Sequence, residues 1–448
     1  MITIKNRFFS FLSPLLFVGI LVASVSIAPF APKSAAPFAE EDRSSTTFEI
    51  APEMNSKAPP LTPQELALTD QHNRLAEDFK IPSGMQERVS FWLDVYSKYD
   101  SKKYLVHHRE YPWVIFDIAD TTDLFTQGRV AWLNRRDADT LSEHKKDSVI
   151  ATLKMLSMRA SYDDLPQEEA RIFEQLKVIP GPRKKIIREA IKSVRIQLGQ
   201  KDIFETGLIR SSPFISMMEE IFEDNGLPKE LVRLPLVESS FNIEAHSRVG
   251  ARGAWQIMPG IGQKGLIISP LIDERESPLK STQFAAFLLK QNKRILKTWP
   301  LAVTAYNHGS GSLLKAIRKL KTTELQRIID TNNERSFQFA SSNFYACFMA
   351  ALRGEFYAAE LFPDLKRPES MRLTKVTVPK TVAIGAFAKK NGFAIEDLQA
   401  TNPELPSKIK AGFKLPAGFS LYVRDEKPES KDQPPPIKIT LINPETST

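Results

Sequence analysis

Glu238 is the residue of this chain best placed to move a proton. It closes the stretch Leu227-Pro-Lys-Glu-Leu-Val-Arg-Leu-Pro-Leu-Val-Glu238, and Ser239-Ser240-Phe241-Asn242 follow. Pro228 suits the first turn of a helix, and Glu230 lies in that turn, where the helix dipole favours an acid. Leu231, Leu234 and Val237 form an apolar stripe at helical spacing. Glu238 therefore falls at the end of a short, largely buried helix, the negative end, where a carboxylate is disfavoured. Burial among Val237, Phe241 and Trp255 disfavours the anion further. Both effects raise the pKa and keep a proton available near neutral pH, as a general acid requires. By position alone a glutamate at a helix end is ordinarily a solvated surface residue. The surrounding pattern has to decide.

Gly250-Ala-Arg-Gly-Ala-Trp255-Gln256-Ile257-Met258-Pro259 comes next, a run whose glycines and alanines permit close backbone approach. Trp255 has apolar neighbours and reads as a core aromatic. The Ser239 hydroxyl either orients Glu238 or a substrate, or bonds locally at the helix end. Pro300-Leu-Ala-Val-Thr-Ala-Tyr306 reads as a helix, followed by Asn307, His308 and Gly309. Read alone, Tyr306 is a core residue with a satisfied hydroxyl. Further carboxylates stand at Glu244, Asp273, Glu274 and Glu276, the last three in a loop and helix start. The six histidines make no metal-ligand spacing, so no metal or cofactor is expected. Cys347, alone in its chain, sits in the apolar helix Phe-Tyr-Ala-Cys-Phe-Met-Ala-Ala-Leu and reads as a buried thiol.

Three of these stretches, Glu238-Ser-Ser-Phe-Asn, Gly250 to Pro259 and Ala305-Tyr-Asn-His-Gly309, resemble in order and spacing the motifs of the lytic transglycosylase family. The layout is similar to its D-type members, strongly from about Arg210 to Pro363. The resemblance implies a lysozyme-like α-helical domain that cuts the β-1,4 bond between N-acetylmuramic acid and N-acetylglucosamine and leaves a 1,6-anhydro end. It implies Glu238 as the catalytic acid, with Ser239, Gln256, Met258, Tyr306 and Asn307 around the substrate. His308 fills a variable place and receives no role. The family's Glu-Thr-x-x-Tyr segment appears here as Ala340-Ser-Ser-Asn-Phe-Tyr345, with Tyr345 matching its cleft tyrosine. A glycosidase usually shows two working carboxylates. Here none of the four other acids is expected to be catalytic, because the substrate can supply its own nucleophile.

The rest of the chain positions this domain. Lys5 and Arg7 precede an apolar run from Phe8 to Ala28. Residues 1–30 fit a signal peptide, and the run is also long enough to anchor the chain in a membrane uncleaved. Either way the expected location is the periplasm or cell envelope. Residues 31–63 are rich in Ala, Pro and Ser and read as a linker. A mostly helical N-terminal extension is expected over 64–205, with Tyr104 to Ile118 more irregular. Its last helix is drawn from Arg183 to Leu198, with Ile187, Ile191, Val194 and Leu198 on one face. Ser212 is read as the N-cap of the next helix, with Pro213 at its first position and Gly226 at its end. The catalytic domain spans 206–363.

After a linker from Pro363 to Ser370 the texture changes. Residues 372–425 read strand, helix, helix, strand, similar to a degenerate LysM module, a βααβ fold that binds N-acetylglucosamine chains. Nine Lys or Arg against four Asp or Glu suit an anionic wall polymer. Residues 426–448 are rich in Pro, Lys and Glu and read as disordered. The fold class expected is mainly α, with this small module appended. Net charge +8 suits an anionic partner, but no zinc-finger, homeodomain or RNA-binding signature accompanies it, so nucleic acid is not expected. Peptidoglycan glycan strands are the expected partner. The rival readings are a hydrolytic muramidase on the same scaffold and an inactive wall-binding protein.

Overall fold

Residues 60–125 and 130–425 are described by a computed structural model. The expected leader or anchor over 1–30, nearly all of the 31–63 linker and the 426–448 tail lie outside the described residues. Among the described residues helices dominate, and none is long and apolar enough to cross a membrane.

The hub is the helix Phe339–Phe356, whose residues from Asn343 to Gly354 are all buried. Small residues at Ala346, Ala350 and Ala351 let neighbours approach it on several sides. Gln86–Ser97, Trp299–His308 and Leu234–Ser239 pack on it. At its first turns Asn343 Oδ1 accepts from Trp92 Nε1 at 3.0 Å and from Arg88 Nη1 at 3.1 Å. The N-terminal helices therefore share one core with the segment expected to form the catalytic domain. The Lys201–Ser211 helix runs straight across the expected boundary at 205/206.

The helical extension over 64–205 needs correction. Lys103–His108 is the middle strand of an antiparallel three-stranded sheet, flanked by Ile115–Asp120 and Val194–Leu198. The helix drawn to Leu198 ends at Ser193, and Val194–Leu198 is extended. Val194 and Leu198 continue the helical stripe, but Val-Arg-Ile-Gln-Leu also alternates at period two. Pairing with Tyr104–His108 decides between the two patterns. Ala131–Met158, Gln167–Leu176 and Arg183–Ser193 cover the sheet around a second core of Val106, Phe116, Leu153 and Ile187.

The expected cap at Ser212 also fails. Ser212 closes the preceding helix by donating to Leu208 O at 2.8 Å, and the next helix is Ile215–Asp224. Gly226, at φ 66°, ends that helix as expected.

Beyond residue 370, Leu373–Thr377 pairs antiparallel with Ser420–Arg424, and Val382–Ala383 with Lys414–Leu415. Helices Ile384–Asn391 and Ile395–Thr401 lie between, over a small core of Ile384, Phe387, Leu398 and Leu421. The unit is fastened to the main body. Lys280 Nζ lies 2.8 Å from Glu404 Oε1 and 2.9 Å from Glu274 Oε1, all three residues being buried. Asp273 N donates to Glu404 O at 3.1 Å, and Ile272 joins the small core. The segment read as a linker, Pro363 to Ser370, is tied to the main body as well: Arg367 bonds Ser212 Oγ and Glu355.

Candidate active site

Glu238 sits where the chain turns sharply. A 3₁₀ turn, Lys229–Arg233, leads into the helix Leu234–Ser239, with Pro235 in its first turn. Buried Arg233 holds that turn through Glu219 and, at 2.9 Å, Glu355 of the hub helix. The acid's helix stops one residue after Glu238. Ser240 and Phe241 both adopt positive φ, 49° and 56°, and Phe241 N closes back on Pro235 O at 3.0 Å. Two successive non-glycine residues in this region are strained, and the buried Phe241 side chain holds them there.

The glycine-rich loop is bolted beside this helix end. Ser239 Oγ donates to Ala254 O at 2.8 Å and accepts from Asn242 N at 3.0 Å. Its hydroxyl is thus spent locally and does not reach Glu238. Gly253, at φ 78°, packs so closely on the carbonyl of Arg275 that a Cβ would lie 1.8 Å from its oxygen, so only glycine fits. Gln256, at φ 47°, turns its amide inward: Nε2 donates to Gly253 O at 2.8 Å and Ala245 O at 3.2 Å. It braces the loop, and no bond to the acid is made. Met258 is half-buried just before the short helix Pro259–Gly262. Trp255 is wholly buried, stacked on Phe222, with Nε1 donating to Thr282 Oγ1 at 2.8 Å.

Tyr306, on Trp299–His308, donates its hydroxyl to Trp255 O at 2.9 Å. Burial and the nearby Glu238 charge both push its pKa well above the usual phenol value. It is a fixed donor, not a base. Asn307 Oδ1 accepts from Ser341 Oγ at 3.1 Å, while its Nδ2 is buried without a partner. His308, given no role, is buried against Phe337 with Nδ1 at 3.1 Å from Ser341 Oγ. Tyr345 corrects one expectation. It is 1% exposed, enclosed beside Phe348, and has no surface to offer a sugar. The match with a cleft tyrosine counted sequence position only, and the apolar helix around it draws the ring into the core.

Glu238 itself forms no hydrogen bond or ion pair with the described residues. It keeps part of its surface open, yet protein surrounds the carboxyl closely enough to push its pKa from 4.5 to about 8 by desolvation. The other acids differ in kind. Asp273 pairs with Arg275 at 2.7 Å and Arg252 at 3.0 Å, Glu276 with His246 at 2.8 Å, and Glu274 with Lys280. Glu244 is exposed. Arg275 was missed at the level of sequence: Nη1 reaches Gly250 O at 2.7 Å and Ile257 O at 3.1 Å, clamping both ends of the loop. Its position in an Asp-Glu-Arg-Glu run hid it among surface-type charges. One solvent-facing, unpaired, protonated carboxyl beside a fixed phenol can donate a proton and later recover one.

Residues 217–329 match the family model of the transglycosylase SLT domain. The chain carries a transglycosylase SLT domain. This domain holds Glu238, the glycine-rich loop and Tyr306. Over 126 residues, 28% of its length, the chain is 35% identical to membrane-bound lytic murein transglycosylase D of Escherichia coli K12, covering 28% of that protein. Over 114 residues it is 37% identical to a protein named for tributyltin chloride resistance from Alteromonas sp. strain M-1, covering 55% of it. The chain thus spans about half of one relative and little more than a quarter of the other. The N-terminal sheet, the hub helix Phe339–Phe356 and the C-terminal unit lie outside the SLT match.

Proposed function

We propose that this chain is a lytic transglycosylase that cuts murein between N-acetylmuramic acid and N-acetylglucosamine. The observation that carries the reading is Glu238: a carboxyl with no partner, open on one side, with its pKa pushed up to about 8 inside an SLT domain. At neutral pH it holds its proton and delivers it to the bridging oxygen as the C1–O bond breaks. Glu238, now an anion in a poorly solvated site, is a stronger base than an ordinary carboxylate. It takes the proton of the muramoyl 6-hydroxyl, whose oxygen bonds to C1 and closes the 1,6-anhydro ring. Proton and bond counts balance with one carboxyl, and no water enters. Attack within one sugar carries a large entropic advantage. Tyr306 and Met258 border the substrate beside the acid. Ser239, Gln256 and Asn307 act as positioning residues, and Tyr345 is left out of the substrate contacts.

The C-terminal residues 372–425 act in this reading as a LysM-like glycan-binding module, supported by their strand–helix–helix–strand order and basic balance. The Lys5/Arg7 start and apolar run support placement in the periplasm or at the membrane of the envelope. Fractionation that finds the full-length chain in the cytoplasm refutes that placement. Digestion of purified murein tests the activity. Fragments one water lighter than muramidase products are expected; reducing-end fragments mean hydrolysis, and none means an inactive scaffold.

A further inference from the structure

Outside the SLT match lies a cavity of about 400 Å³ at the join between the N-terminal sheet and the hub helix. Its walls come from four places that are remote in sequence. Arg109 follows the middle strand, Glu143 and Lys146 lie on Ala131–Met158, Lys192 and Arg195 flank the start of the third strand, and Phe339 opens the hub helix. Four cations face one carboxylate. Lys146 is paired with Glu143 at 2.9 Å, which leaves Arg109, Lys192 and Arg195 without an acidic partner among the described residues. The Arg195 guanidinium carbon lies over the Phe339 ring, 4.2 Å from its centre, and its Nε is buried without a hydrogen-bond partner. Desolvation and the Arg109 charge lower its pKa, so the protein pays to keep two guanidiniums together here. The 18-residue hub helix begins at the same wall with no side-chain cap, adding the positive end of its dipole. Like charges gathered at a cavity, with an unpartnered donor and an uncapped helix start, make a site that favours an anion.

The anion's source follows from where the cavity lies. Phe339 lines it, and two residues on, Ser341 bonds Asn307, next to Tyr306. The cavity and the end of the helix that carries Tyr306 therefore meet at one helical turn. In murein the sugar whose C1 reacts also bears a short peptide rich in free carboxylates. We propose that this cavity binds a carboxylate of the murein peptide stem, so that the N-terminal sheet, and not the SLT domain alone, selects strands that carry peptides. This rests on the murein reading above.

The test uses the full chain and the double variant R109Q/K192Q, two exposed side chains with no hydrogen bond to the core. The free stem tripeptide alanyl-glutamyl-diaminopimelate is titrated calorimetrically at low salt, with inorganic phosphate as a second arm. Loss of two charge-assisted contacts should weaken tripeptide binding about tenfold or more. On murein strands, the ratio of KM for peptide-bearing to peptide-stripped substrate should rise by a similar factor. Unchanged tripeptide affinity in the variant overturns the proposal, as does wild-type binding of phosphate without binding of tripeptide. A KM shift equal on both substrates overturns it too. If neither substrate is cleaved, the murein reading fails, while the calorimetric arm still decides whether the cavity takes a peptide carboxylate.

Discussion

The Tyr306 hydroxyl donates to the main-chain carbonyl of Trp255 at 2.9 Å, tying the helix Trp299–His308 to the loop beside Glu238. The bond joins two elements that otherwise meet through rings, the Tyr306 and Trp255 centroids being 6.1 Å apart. Tyr306→Phe keeps the ring and deletes the bond. A buried carbonyl left unpaired costs about 1–3 kcal/mol, so the variant should unfold at lower denaturant with unchanged slope. If the phenol also fixes the wall of the site, kcat should fall while the KM for short glycans moves little. Equal stability and activity in the variant would make the bond incidental.

Glu238 should leave a signature in stability against pH. Its folded pKa, about 8, lies above the ordinary 4.5 of the unfolded chain. The folded state binds the extra proton between these values, so the contribution of this one group to stability is greatest below about 4.5, falls as pH rises through the window, and levels off above 8. Glu238→Gln removes the linkage. The amide variant should be more stable than wild type at pH 8, on the order of a few kcal/mol, and the two should converge near pH 4. Denaturant titrations at several pH values read this directly. Parallel curves across the window would show that the carboxyl is not desolvated.

The acid's own surroundings were the most legible part of the chain. Gly226 and the Leu234–Val237 end of the stripe act within a few residues and survive folding, but the single helix expected from Pro228 to Glu238 is divided into the 3₁₀ turn Lys229–Arg233 and the helix Leu234–Ser239. What was lost depends on distant partners. Val194–Leu198 is a strand because Tyr104–His108 lies alongside it, and the Ser212 hydroxyl is taken up by donating to Leu208 O and accepting from Arg367 Nε, while the next helix starts only at Ile215. Tyr345 and Gln256 were placed by motif position, but the apolar packing of one helix and two loop carbonyls determine where those side chains point. The basic cavity has no sequence signature, since its walls span residues 109 to 339.

The buried Lys280 should report on the fastening of the C-terminal unit. It lies between Glu274 and Glu404, with its ammonium 3.7 Å from the centre of the Phe419 ring. Lys280→Met strands two buried carboxyls, and removing one partner of a buried pair typically costs about 3–5 kcal/mol. K280M should loosen residues 372–425 and expose the Pro363–Ser370 segment to limited proteolysis. Adding Glu404→Gln should recover part of the loss. Proteolysis at the wild-type rate in K280M would show that the ion cluster does not hold the unit.

Because that unit is fastened over residues 272–283, deleting it would uncover Lys280 and Glu274 and confuse binding with stability. Surface charge gives a cleaner test of glycan binding. Lys389 and Lys390 are exposed in the last turn of Ile384–Asn391, and Lys410 is exposed nearby. The triple change to glutamine should reduce sedimentation with insoluble murein, more at low salt than at high, because exposed charges act through a screened field. Cleavage of soluble fragments should persist. Undiminished sedimentation would remove these lysines from any wall contact.

The catalytic assignment stands or falls on Glu238→Gln. The substitution keeps size and shape but neither gives nor takes the proton, and one group serves both steps. General acid–base groups contribute roughly 10²–10⁴-fold, so the loss should reach the upper end or beyond. Folding should survive, since the amide is freed of the penalty that raises the acid's pKa. Wild-type kcat should fall as pH rises through about 8, where the proton to be delivered is lost. The paired acids provide the contrast. Asp273→Asn and Glu276→Gln break ion pairs with Arg275 and Arg252, and the second also alters the Glu276–His246 hydrogen bond, so they should lower the melting temperature and leave the product unchanged. Glu244→Gln, on an exposed side chain, should change neither. The readouts are the release of anhydro fragments by mass and the fraction folded by circular dichroism. Near wild-type release from Glu238→Gln, or a folded Asp273→Asn with no turnover, would move the catalytic acid elsewhere.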